Sequence, residues 1–501
     1  MKKRFNKLNL IYLLLWIIPF YIFGRDFFKF KRIDNSTVNV ILFTVYQAFI
    51  SSGFAFLIAI FPSYYVASHN NNISKLIKTT LFIPFLFPVV SAITAFSIIG
   101  NFMILKKIGF LYSLKAIIVA NVFYNTPIFI KYISIAIQRI PKNLEETLEI
   151  EGIKGIKKFL YIDLPLILPS VFRAFFLVFT YCFTSLGIVL GLGGIKYSIL
   201  EVEIATIMMS SLDFSKAFLL GIIQFIILSF INVINNIIPH YELEKSEIKK
   251  YKINILGKII VILFIILEYI VLIISFLFSV YNFYDNKFTL RGIKNLFSKE
   301  FNIDYKIIDA FKNTTLIAII TAIIVIIFTY VFIKNENKYS NFILMGTFGI
   351  SNAFIAIALI YLNILYNIPY IILLIIGFFY ITVPLAYSFL HHPIKTIKNE
   401  IIEASKIDGA NTFDLFFKIE FPILKNSFIS VFIQIFAIIF GEFSLVYTMQ
   451  ISDYFPVISV VNYSLASDKK IFESMALSSI VLLIIFTLFY LSEKLSDEEK
   501  R

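Results

Sequence analysis

Residues 145–170 read EETLEIEGIKGIKKFLYIDLPLILPS, and residues 401–427 read IIEASKIDGANTFDLFFKIEFPILKNS. Setting Gly152 on Gly409, an offset of 257, aligns the two stretches without a gap. The match pairs Glu146 with Glu403, Ile150 with Ile407, Phe159 with Phe416, Ile162 with Ile419, Pro165 with Pro422 and Ser170 with Ser427. Pro127 and Pro384 fall in the same register. Isoleucine and phenylalanine coincide cheaply in this composition, but the chain has 18 Gly and 14 Pro in 501 residues, so the glycine and proline matches carry the alignment. An acid precedes each glycine, Glu151 in one copy and Asp408 in the other. One unshifted register at equivalent places marks an internal repeat.

Working outward, 59% hydrophobic residues, 17% aromatic residues and a mean hydropathy of +0.86 exceed what a soluble core and surface combine. Apolar runs of about 20 residues, long enough to cross hydrocarbon at a 1.5 Å rise, recur along the whole chain. Twelve are read, near 8–28, 41–67, 79–102, 116–137, 166–190, 214–239, 254–283, 312–334, 342–364, 369–391, 427–450 and 471–491. The first follows Lys2, Lys3, Arg4 and Lys7 as a signal-peptide core would, yet no small-residue cleavage site follows Gly24, so it is expected to stay as a helix. Lys and Arg are richer in the segments that face inside when the N-terminus is cytoplasmic, although the 284–311 loop runs against this trend. Both termini are then expected in the cytoplasm.

The charged connector HYELEKSEIKKYK, from His240 to Lys252, divides the chain near its midpoint and leaves six runs on each side. Six is even, so the halves enter the membrane in the same orientation and form parallel repeats. The expected fold is an all-α polytopic membrane protein of about twelve transmembrane helices in two six-helix repeats. The domains are 1–239, a linker 240–252, and 253–501.

Each repeated loop reads as a short helix, a glycine break, a second short helix and a proline stop before the next span. Asn143 and Asn399 are expected N-caps, and Glu145, Glu146, Glu400 and Glu403 lie where a helix dipole favours acids. Ile153, Ile156, Phe159 and Leu160 in the first copy, and Phe413, Phe416 and Phe417 in the second, make one apolar face. Such a face outside a bilayer needs a partner.

The pattern of Glu, Gly six residues later, then Ile-x-x-Pro resembles the EAA loop of type I ABC importer permeases. EASKIDGA at 403–410 is close to it; EETLEIEG at 145–152 keeps Glu146 and Gly152 but has Thr147 and Leu148 where small residues are usual. The resemblance implies a fused two-copy permease, similar to thiamine and ferric-iron importer permeases. SLGIVLGLGGIKYSILEVEIA at 185–205, DFSKA at 213–217 and FGEFSLVYTMQ at 440–450 carry that narrower likeness. It implies that loops 139–165 and 392–422 dock a cytoplasmic ATPase, in two copies, through Glu146, Glu151, Gly152, Phe159, Pro165, Glu403, Asp408, Gly409, Phe416 and Pro422. It further implies an extracytoplasmic solute-binding protein, a bacterial inner-membrane location, and thiamine, a related small molecule or ferric iron as solute.

No catalytic residue or cofactor is expected on the chain; ATP and Mg would be held by the partner ATPase. The nearest text to a phosphate-binding loop, GLGGIKYS at 191–198, lacks its Gly-Lys-Ser/Thr core. The single cysteine, Cys182, excludes an intrachain disulfide and a thiolate metal cluster. His69, His240, His391 and His392 read as interfacial residues. The net charge of +13 sits in short loops without stacking aromatics, which argues against nucleic acid.

Charges inside apolar runs are costly, so Lys131, Arg173, Glu268 and Glu442 are functional candidates. Glu442, with Gly441, sits midway in the eleventh run and is assigned to the translocation path, with helix packing as its competing role; Gly187 is placed there too. Lys131 and Arg173 lie nearer run ends, where snorkelling competes. Glu268 falls in a seventh run expected to be peripheral. Pro84 and Pro88 mark a possible opening of the backbone toward a path, with an ordinary kink as the alternative. Competing functions are an ion-coupled secondary transporter and a non-transporting membrane scaffold.

Overall fold

A computed structural model describes residues 7–27, 34–81, 87–140, 147, 151, 155–194, 196–238, 254–282, 287–337 and 340–498. Apart from a two-residue antiparallel hairpin pairing Tyr281 with Phe288, the described structure is helical. Ten described helices are long and apolar enough to cross a membrane. Eight of them cover expected runs closely, including Asn35–Ser68, Leu114–Gln138, Ile255–Val280, Ile307–Lys334 and Tyr370–Lys395.

The remaining runs correct the sequence reading. The expected spans at 79–102 and 342–364 are the shorter apolar helices Val89–Gly100 and Asn352–Tyr366. Pro88 caps the first. Ser351 starts the second by accepting the Phe354 N–H at 3.1 Å, after a 3-10 turn at Gly346–Gly349. Hydropathy runs straight through such caps because the capped residues are apolar too. The expected spans at 166–190 and 427–450 are likewise broken, into Leu164–Phe183 with Leu186–Leu192, and Phe421–Gly441 with Ser444–Met449. The stretches read as loops at 191–213 and 451–470 contain the helices Leu200–Ser210 and Ile458–Ser467.

The repeat survives at the level of elements. The 257-residue step that aligns the loops carries Leu164 onto Phe421 and Phe214 onto Ile471, each the first residue of its helix. A buried threonine does the same work in both halves, though not at the 257-residue step. Thr44 Oγ1 donates to the Val40 carbonyl at 2.6 Å and accepts the Leu200 N–H at 3.0 Å. Thr314 Oγ1 donates to Ala310 at 2.7 Å and accepts the Ile458 N–H at 3.0 Å. Each threonine supplies an acceptor for a first-turn N–H that no residue of its own helix satisfies. Thr314→Val, which keeps shape and removes that acceptor, is expected to cost about 1–3 kcal/mol. Thermal unfolding in detergent measures it, and a wild-type midpoint would refute the role.

Contacts divide the chain into two compact units that do not follow its midpoint. One comprises Met1–Lys31, Ile204–Phe225 and Thr289–Arg501; the other comprises Arg32–Glu203 and Ile226–Phe288. Against the expected domains 1–239 and 253–501, helix Lys7–Phe27 belongs with the later residues and helix Ile255–Val280 with the earlier ones. Side chains explain both memberships. Tyr12 is fully buried among Phe328, Phe332 and Phe379 and hydrogen-bonds Thr347 at 3.0 Å. Phe23 packs on Phe214, Phe218 and Tyr361. In the other unit, Gly257, Val261, Phe264, Glu268, Val271 and Ser275 recur at three-to-four-residue spacing as the buried stripe of their helix, which packs on Asn35–Ser68 and Val89–Gly100.

Candidate functional site

The second repeated loop is described throughout. Helix Asn399–Ile407 begins at Asn399, so that asparagine is its first residue rather than its cap. Glu400 lies in the first turn and Glu403 one turn on, exposed. The helix ends with the Asp408 N–H on the Ala404 carbonyl and the Ala410 N–H on the Ser405 carbonyl, both at 3.0 Å. Between these residues Gly409 takes φ +82. This is the left-handed closure that glycine adopts without steric penalty. Asn411 opens the next helix by accepting the Asp414 N–H at 2.9 Å.

The expected proline stop is not a stop. Thr412–Asp414 runs through a π-turn, Leu415–Glu420, into helix Phe421–Gly441, with Pro422 exposed as its second residue. Within an unbroken α-helix the proline ring would meet the carbonyl four residues back and remove one hydrogen bond. The π-turn shifts that register, as the Phe421 N–H bonding to the Phe416 carbonyl shows. In the first copy the π-turn Phe159–Asp163 likewise precedes Pro165, exposed as the second residue of its helix.

The apolar face predicted for Phe413, Phe416 and Phe417 is split. Phe413 and Phe417 are 76% and 60% exposed, and Ile407 across the glycine is 86% exposed. Phe416 turns inward, its ring 5.0 Å from that of Tyr330. Phe416 therefore anchors the loop, while Ile407, Phe413 and Phe417 form a bare apolar ledge beside the exposed Asp408 and Gly409.

At the far end of helix Phe421–Gly441, Glu442 stands at a break in the helix rather than midway along one. Gly441 is the last residue of that helix and is half-buried. The Glu442 carboxylate accepts the Leu445 N–H at 3.0 Å and the Asn352 amide at 3.0 Å. It thereby satisfies a first-turn N–H of helix Ser444–Met449, the work of a cap.

Residues 336–498, which contain this loop and Glu442, match the model of the binding-protein-dependent transport system inner membrane component. Over those residues the chain is similar to the permease domains of that class. The thiamine transport system permease protein ThiP of Haemophilus influenzae (strain ATCC 51907 / DSM 11121 / KW20 / Rd) is 27% identical over 257 residues. The match takes in 46% of this chain and 47% of that protein, so the chain spans about half the length of the curated relative it matches.

Two features in and beside residues 336–498 escaped the sequence reading. Glu420, fully buried, closes the π-turn, and its carboxylate accepts from the Tyr330 hydroxyl and the Lys334 ammonium. A signal was present: Asp163 stands at the same 257-residue register, also buried and two residues before its proline. The second is Glu336, bonded by Lys395 at 2.9 Å, the Tyr387 hydroxyl at 2.9 Å and His391 Nε2 at 3.1 Å. Burial opposes its charge, but Lys395, Tyr387 and His391 outweigh burial and hold the carboxyl below its ordinary range. His391 thus has a carboxylate partner that the sequence did not reveal. His69 stacks on Tyr65, His392 is exposed, and His240 lies outside the described residues. No group of three His, Cys, Asp or Glu able to hold a metal occurs among the described residues.

In the first copy, Glu146 and Gly152 lie outside the described residues, as do Asn143, Glu145 and, beyond the loop, Pro84. Glu151 is exposed, with its N–H on the Thr147 carbonyl at 3.0 Å. The backbone of Phe159 opens the π-turn. Gly187 is buried inside helix Leu186–Leu192. Its neighbour Gly191 is a close-approach point, where an added Cβ would lie 2.5 Å from Ile93, and Gly194 turns the chain at φ +63. Gly191 and Gly194 serve packing and turning. Arg173 donates to the Ile238 carbonyl at 2.6 Å, just past the end of helix Phe214–Ile237, and Lys131 is half-buried. Glu268, expected on a peripheral helix, is fully buried in the stripe facing helices 35–68 and 89–100. Its carboxyl oxygens have no hydrogen-bond partner among the described residues.

Proposed function

We propose that this chain is the translocating permease of an importer driven by a separate ATPase, and that its solute is thiamine or a similar small cationic aromatic. The apolar ledge of Ile407, Phe413 and Phe417 carries the ATPase part of the reading. Three large exposed apolar side chains beside a fixed glycine turn are a surface that a protein partner would cover. The match of residues 336–498 to the permease domain supports the same reading. A loop in each half gives two docking points, hence two ATPase copies, with ATP and Mg bound there rather than here.

In this reading the loops face the cytoplasm, both termini lie there, the chain sits in a bacterial inner membrane, and a binding protein delivers solute from the opposite side. Closure of the ATPase pair would draw the loops together and reverse the side to which the path opens. Glu442 and Gly441 at the helix break, with Gly187, remain the proposed path residues. Thiamine rests on the name of the relative and on its chemistry, since a cationic ring stacks on Phe and Tyr faces. The comparisons lend ferric iron no support.

The test is solute accumulation in proteoliposomes that hold the chain with its ATPase and binding protein. Accumulation of thiamine that requires internal ATP is expected. Accumulation driven by an ion gradient without ATP would instead establish a secondary transporter and overturn the proposal.

A further inference from the structure

The buried acid at the end of the second loop does more than tie two helices together. Tyr330 and Lys334 lie four residues apart on one face of helix Ile307–Lys334, and both donate to Glu420. The Tyr330 ring lies 5.0 Å from Phe416 and 6.0 Å from Phe428, and the Lys334 ammonium sits 5.9 Å from the Tyr330 ring centre. Phe416, Glu420 and Phe428 thus grip one side chain pair from before, within and after the loop's junction with its membrane helix. Glu420 is wholly buried, whereas Asp414 and Lys418, paired on the same segment, remain accessible.

An acid is buried at the same place in both copies. In the first copy Asp163 is buried at the matching position and lies 3.9 Å from Lys158, the last residue of the helix that precedes its π-turn. In the second copy the loop is fixed to a separate membrane helix through a charge-assisted bond, which is stronger and more directional than a neutral one. A loop held only by apolar contacts slides; one pinned by a buried ion pair moves with its helix, because separating the charges leaves one uncompensated.

We propose that Tyr330, Lys334 and Glu420 form a positioning strut that passes movement of the 399–420 loop into helix 307–334, so that ATP hydrolysis is tied to transport. The proposal rests on the reading of that loop as the ATPase-docking segment. It assigns no contact with solute to any of the three residues. Their role is exerted through the helix they hold.

The experiment measures ATP hydrolysed per solute accumulated, using the full chain with ATPase and binding protein in proteoliposomes, alongside co-purification of the ATPase. Glu420→Gln and Lys334→Met are each expected to raise that ratio roughly tenfold while the ATPase still co-purifies. The reversed pair, Glu420→Lys with Lys334→Glu, is expected to bring the ratio back toward wild type. Should the charge variants fail to fold, Tyr330→Phe removes a single hydroxyl and is expected to raise the ratio by a smaller factor. A wild-type ratio in the folded variants, or hydrolysis and uptake falling in proportion, overturns the strut while leaving the docking assignment intact. A wild-type chain that retains no ATPase overturns both.

Discussion

Gly409→Arg combined with Gly152→Arg is expected to abolish co-purification of the ATPase while leaving membrane insertion and thermal stability near wild type. At Gly409 the argument is geometric. An added Cβ meets nothing within 4 Å, so arginine displaces no part of the chain's own packing. The backbone at φ +82 charges a side chain about 1–2 kcal/mol, a local cost that falls on an exposed turn rather than on the core. The guanidinium would then project from the exposed turn that joins Ile407 to Phe413, where the proposed partner would approach. A desolvated, unpaired cation in the middle of an interface is worth several kcal/mol against binding. Gly152 is included because it holds the matching register in the other copy. Pull-down of the ATPase from detergent extracts measures the effect. Undiminished recovery from a normally inserted variant would refute docking through these turns.

Gly221→Leu is expected to destabilise the fold by at least about 3 kcal/mol, the upper range for forcing bulk into a packed core. Gly221 lies on helix Phe214–Ile237, and a Cβ built there would stand 2.1 Å from the Phe354 ring. That ring has no room to retreat: Phe20 lies 4.8 Å away, Phe218 5.7 Å and Phe23 6.4 Å, centre to centre. Helix Asn352–Tyr366, which carries Phe354, would have to move as a whole. Gly346→Leu is the matched control, since a Cβ there meets nothing within 4 Å. A lowered unfolding midpoint for Gly221→Leu, with Gly346→Leu close to wild type, is the expected result; equal midpoints would show that the interface is slack.

Gly221 and Gly346 look alike in the sequence, and their contrast marks how far pattern reading reaches. Glycine and proline were informative where they recurred in register, as at Gly409 and Pro422, because their backbone demands are local and their scarcity makes coincidence costly. The same register held Asp163 and Glu420, and that pairing was legible. What it meant was not, because Tyr330 and Lys334 lie on another helix. Between Glu336 and His391 lie the helices Ser340–Met345 and Asn352–Tyr366 and most of the helix that carries His391, so their bond belongs to no motif.

The sequence by itself determined the class of the protein: a polytopic helical membrane chain with an internal repeat and a loop in each half that carries a glycine at the same register. These rest on span-length hydropathy and on residues with distinctive backbone requirements, both properties of the chain near the residue in question. The tertiary structure alone decided where helices break, that Glu442 caps one such break, that Glu268 is buried, and that the first helix of each half packs with residues of the other sequence half. In a chain that is 59% hydrophobic, lipid-facing and core-facing positions are both apolar. Composition then says that a helix is in the membrane, but complementary shape and a few buried polar bonds decide which neighbour it touches.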